Sequence, residues 1–184
     1  RMFYQKITDI FAECSIDYDK NSDTALTFYK TIQNKFHYAI TGKTAAEIIY
    51  NRADSKKENM GLTTWENSPN GKILKTDVII AKNYLDEKEI KNLNNLVNLF
   101  LDIAENNAER NIVMCMNDWK NEVENAIKVF HYGVLNDKGK ISHQMAQDKA
   151  FLEYEKYKVI QDKSFVSDFD KLLIEAKNIE NKDN

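Results

Sequence analysis

His37, Gly42, Lys43, Thr44 and Arg52 all fall in the stretch HYAITGKTAAEIIYNRAD, residues 37–54. Histidine is the side chain that titrates nearest neutrality, so His37 is the candidate catalytic base. A glycine followed by Lys and Thr where a helix begins offers unpaired backbone N–H groups, the positive end of the helix dipole and a mobile cation. Gly42, Lys43 and Thr44 therefore outline an anion-binding site. Arg52 falls within the apolar stripe Ala45, Ile48, Ile49 and Ala53, with Glu47, Asn51 and Asp54 on the opposite face. A guanidinium turned inward needs a carboxylate, a row of carbonyls or a bound phosphate. The favoured reading is an ion pair with an acid from a neighbouring helix, or a stem that snorkels past the helix end; the alternative is the floor of an anion pocket. Asp54, Lys57 and the NMGLTTW loop follow directly and are placed to cover such a pocket. Trp65 in that loop is either its anchor or a stacking surface.

Spacing also restricts the chemistry. A Walker loop needs glycine at position 37 and a strand before it, and here the residue is His37 within a helical pattern. Thr44-Ala-Ala-Glu47 fits a capping box, which gives Glu47 a structural role and draws on the same N–H groups as an anion would. No acid stands at a fixed catalytic spacing from His37. DYDKNS imitates the first positions of a calcium loop with Asp17, Asp19 and Asn21. It has Ser22 where the sharp turn needs glycine and Phe28 where the bidentate Glu belongs. His37, His131 and His143 lie in separate segments, and Cys14 and Cys115 are far apart, so no zinc spacing arises and the thiols read as reduced. No metal is assigned, and the cofactor is unknown.

Helices must position these residues. The chain has 184 residues, with one Pro and five Gly, which disfavours a turn-rich β fold. Hydrophobic residues make up 42%, enough for a sizeable core. Apolar periodicity predicts an all-α fold: a single compact domain over 1–179, with a polar tail at 180–184. About seven to eight helices are expected, at about 2–14, 22–40, from Thr44, 76–84, 86–110, 117–132, 142–161 and 166–179, around a long central helix at 86–110. Residues 55–74 form the longest irregular stretch, of a length often tied to function. No apolar run approaches the roughly 20 residues of a membrane span. A formal charge of −3 gives no basic footprint for nucleic acid. The first helix begins without a cap, as in a domain cut from a longer protein.

FYQKITDIFAECSIDYD, IQNKFHYAITGKTAAEIIYNRADSKKENMGLTTW and KTDVIIAKNYLDEKEIKNLN together resemble the RhuM family of bacterial virulence proteins, from about Phe3 to Tyr157. The resemblance implies the C-terminal part of a longer bacterial protein whose preceding region binds DNA. A fainter similarity is to Fic-type proteins. Their motif HPFx[DE]GNGR uses the His as base and the GNG backbone as an anion hole. His37 and Gly42 keep that spacing, but Thr41 stands at the acidic metal ligand and Lys43, Thr44 and Ala45 replace Asn, Gly and Arg.

Two functions follow as expectations. The first is an effector or interaction domain with an unknown protein partner, showing exposed apolar or aromatic surface on the helix of Tyr154 and Tyr157; DNA binding would lie in an N-terminal region outside this chain. The alternative is a divergent Fic-like enzyme handling a phosphate or nucleotide. There His37 is the base, Gly42, Lys43, Thr44, Arg52, Asp54 and Trp65 bind substrate, and the anion sits at the 42–44 helix start. The bacterial cytoplasm is the expected location, with secretion into a host left open.

Overall fold

A computed structural model of the protein describes residues 23–164, together with residues 9, 15–17 and 19. Among these are five α-helices: α1 (Asp23–Thr41), α2 (Ala45–Arg52), α3 (Glu87–Glu109), α4 (Met116–Val129) and α5 (His143–Ser164). The all-α expectation holds. The helices expected at 2–14 and 166–179 lie outside the described residues.

α1 exists because Phe28, Ile32, Phe36 and Ala39 recur at helical spacing and bury one face. It packs against α2, α3 and α4, which makes it the hub. The long helix α3, expected at the centre, buries the single stripe Leu93, Leu96, Phe100 and Ala104 against α1 and α4. Where the three meet, Phe36, Phe100 and Trp119 form an edge-to-face chain with centroids 6.0 and 6.3 Å apart. Each such contact adds roughly 0.5–1.5 kcal/mol beyond the area it buries. Asp17, the first residue of the calcium-like run, accepts the Met116 N–H at 2.9 Å and so caps the start of α4.

Residues 53–86 wrap over α2 and α5 as a packed strap. Met60, Leu62, Trp65, Ile73, Val78, Tyr84 and Leu85 are all buried within it. The helix expected at 76–84 is instead two 3-10 turns, Asp77–Ile79 and Ala81–Tyr84. The cause is tertiary. The buried Asp77 carboxylate accepts the N–H groups of Glu66 and Leu74, and the Tyr84 hydroxyl donates to the Val78 carbonyl. These bonds hold the backbone in a tighter path than an α-helix. Gly61 is required where the strap turns: its φ is +81°, and a Cβ there would strike the carbonyl oxygen of Arg52.

α5 closes the other side, laying Ala146, Ala150, Glu153 and Tyr154 on α2 and the strap. The Glu153 carboxylate accepts both the N–H and the hydroxyl of Ser55, at 2.9 and 2.6 Å. Tyr154 is buried and Tyr157 half-buried against the core, so the exposed surface expected on this helix is not aromatic. It is apolar: the outer face of α5 carries Met145, Leu152 and Val159. Among the described residues no helix is long and apolar enough to cross a membrane.

Candidate functional site

Gly42 ends α1 at φ +68°, donating its N–H to the Tyr38 carbonyl at 2.8 Å. Thr44 then caps α2 through a complete capping box with Glu47. Three of the donors that could have met an anion are engaged inside the protein. Thr44 N–H donates to Glu47 Oε2 at 2.8 Å, Ala45 N–H to Asn34 Oδ1 at 3.2 Å, and Lys43 N–H to Thr41 Oγ1 at 3.1 Å. The second Glu47 oxygen accepts the Lys140 N–H at 2.8 Å. Burial alone would raise the Glu47 carboxyl, but the backbone N–H groups of Lys140 and Thr44 hold it below its ordinary value. A carboxylate therefore stands at this helix start, and an incoming phosphate would have to displace it.

Arg52 meets a carboxylate, as favoured. Its Nη1 and Nη2 donate to the two oxygens of Glu89, both at 2.6 Å, and Nη1 also donates to the Tyr84 carbonyl at 2.6 Å. This is a forked, charge-assisted pair between the end of α2 and the first turn of α3. Glu89 also completes the capping box of α3, accepting the Asp86 N–H at 3.0 Å. Hydrogen bonding to Arg52 holds the Glu89 carboxyl low, against the opposing effect of burial; Lys43 lies near enough to help. The Asp86-x-x-Glu89 spacing marks Glu89 as a capping residue in the sequence, but it does not pair it with Arg52.

His37 lies within α1, 4% exposed, and its Nδ1 has no hydrogen-bond partner. Burial, helped by the Lys82 cation and opposed by Glu89, pushes its pKa down to about 4. The imidazole is neutral at physiological pH. Asp54 shapes the turn after α2, accepting the Lys56 N–H at 3.0 Å. Trp65 is buried and donates from Nε1 to the Gly71 carbonyl at 2.8 Å, the anchoring role rather than an open stacking face.

A groove of about 520 Å³ runs between the α1–α2 junction and the segment leading into α5. Gly42 and Lys43 line it with Tyr38, Glu47, Asp137 and Lys140. His37, Thr44, Arg52, Asp54 and Trp65 are not among its lining residues. The structure thus brings two of the seven candidate residues to this groove and ties the others into the fold. Sequence reading missed the 134–141 wall, whose only signal is the NDKGK turn. Among the described residues, no group of three or more His, Cys, Asp or Glu is placed to hold a metal ion.

These features define a helical domain whose distinctive polar groups mostly join its own elements. The chain is matched by the Virulence protein RhuM family over residues 1–166, and it belongs to that family. No curated protein and no solved structure is detectably similar to it, so the Fic-type likeness gains no support from a known fold.

Proposed function

We propose that this RhuM-family domain acts by binding another macromolecule and not by catalysis. The observation that carries this reading is the outer face of α5, where Met145, Leu152 and Val159 are 47, 58 and 55% exposed. Their seven-residue spacing puts them in one row along the helix. Isolated exposed apolar residues need no explanation, but a row of them on one helix is a docking feature. The inward-facing polar groups point the same way: Arg52 is satisfied by Glu89, Glu47 fills the start of α2, and His37 is neutral and buried.

A photo-crosslinking residue at position 152, expressed in the bacterium, tests the reading. An adduct of discrete mass is expected at 152 and none at the exposed control position Lys91. No adduct at 152 would count against it. The phosphate-handling alternative has its own test, a thermal-shift screen with nucleotides, pyrophosphate and phosphate, with and without magnesium. Ligand at about 100 times its Kd stabilises by roughly 2.7 kcal/mol. A nucleotide-specific shift lost in both Lys43→Ala and His37→Ala would overturn the interaction reading.

A further inference from the structure

Three rows on α5 share the same seven-residue repeat. The apolar row is Met145, Leu152 and Val159; an acidic row, Asp148, Glu155 and Asp162, runs along one side, and a basic row, Lys149, Lys156 and Lys163, along the other. At 100° per residue, Asp148 and Glu155 lie about 40–60° to one side of Leu152, and Lys156 and Lys149 about 40–60° to the other. All three rows drift together by about 20° per heptad, the drift that a left-handed supercoil removes. The acidic row is solvent-exposed along its length, and Lys156 and Lys163 are exposed with Lys149 half-buried. Within the chain, Lys149 and Lys156 reach Glu153 at 3.6 and 2.9 Å, while Glu155 and Asp162 meet Lys75 and Lys72 at 3.6 and 2.7 Å. These contacts hold the rows in place while leaving them in contact with solvent: the Glu155 and Lys156 side chains remain 61 and 54% exposed.

We propose that α5 pairs with α5 of a second copy of this chain, side by side and parallel. This rests on the reading of the outer α5 face as the docking surface, and it names the occupant. The charge rows select that geometry. Around a two-fold axis parallel to the helices, the acidic row of one copy faces the basic row of the other on both sides of the apolar seam. An antiparallel pair would set acid against acid and base against base, which is repulsive. The parallel arrangement stacks Met145 on Met145, Leu152 on Leu152 and Val159 on Val159. Only one apolar residue per heptad enters the seam, so the complementary charges supply the pairing specificity and the association is salt-sensitive.

Sedimentation equilibrium of the full 184-residue chain tests the pairing, together with mild oxidation of single cysteine variants. A concentration-dependent dimer is expected. It should weaken as salt rises from ~0.05 to ~1 M, where the Debye length falls to about 3 Å, and it should be lost in Leu152→Glu. Met145→Cys and Val159→Cys should each form a disulfide dimer alone, beyond any background that Cys14 and Cys115 give in the unaltered chain. A chain that stays monomeric up to ~1 mM overturns the proposal, as does cross-linking only when the two variants are mixed, the antiparallel signature. Circular dichroism of Leu152→Glu separates loss of pairing from loss of fold. If the crosslinker at position 152 captures a different protein, self-pairing fails while the interaction reading stands; if it captures nothing, both fail.

Discussion

His37→Leu tests what a buried, unpartnered imidazole does to this fold. In the unfolded chain the imidazole takes up a proton near its ordinary pKa of 6.5, whereas in the folded protein it does so only near 4. Between those values the unfolded state binds more protons, so stability falls as pH is lowered through that window. A depression of this size corresponds to about 3 kcal/mol in full, at ~1.4 kcal/mol per pH unit, and to about 2 kcal/mol by pH ~5. Carboxylates do not confound the upper part of the window. Glu153, held down to about 2 mainly by the Ser55 hydroxyl, loses its contribution only below about 4.5. The assay is urea unfolding followed by circular dichroism at pH ~7.5 and pH ~5. Wild type should lose about 2 kcal/mol between the two, and His37→Leu should lose little. At the higher pH the leucine variant should lie within about 1 kcal/mol of wild type or above it, because the substitution removes a buried polar atom that has no partner. Equal losses in the two proteins would refute the account. His37→Gln guards against a repacking artefact, since it removes the titration while keeping a polar side chain.

Three further outcomes are expected. In a double-mutant cycle by urea unfolding, Arg52→Met and Glu89→Gln should show a coupling of about 1–2 kcal/mol; the two side chains are 28 and 17% exposed, and additivity within about 0.3 kcal/mol would mean that the fork is energetically idle. Gly61→Ala should cost more than about 2 kcal/mol in the same assay, because it adds a Cβ against the Arg52 carbonyl at a φ of +81°; a neutral effect would mean that the strap moves freely there. Ser55→Ala should cost about 1–2 kcal/mol near neutrality, a deficit that shrinks as pH falls from about 4.5 towards 2 and Glu153 takes up its proton. A deficit that stays constant across that range would separate Ser55 from Glu153.

Features set by neighbours in sequence were legible without coordinates. Thr44 with Glu47 and Asp86 at the start of α3 declare themselves because a cap and its partner are three residues apart. Periodicity also turned Arg52 inward, since its angle on α2 depends only on α2. Its partner was not legible, because Glu89 lies on another helix and periodicity carries no information on which helices meet. The 76–84 segment was misread for a related reason: its apolar pattern suits a helix, but Asp77 is held by Glu66 and Leu74 from outside it. On α5, apolar residues occur on both the inner and outer faces, so the pattern did not reveal that Tyr154 points in and Leu152 out. Glu47 was legible as a cap, but its hold on Lys140, distant in sequence, was not.

Glu89 Oε2 is shared between the Asp86 N–H and the Arg52 guanidinium. The start of α3 and the end of α2 therefore cannot fray separately, because losing the cap shifts the oxygen that Arg52 grips. In native-state hydrogen exchange, the amides of Asp86 and Glu89 should open together with that of Ala53, which closes the last turn of α2 on the Ile49 carbonyl. One carboxylate makes two helix ends, far apart along the chain, into a single unit of local unfolding.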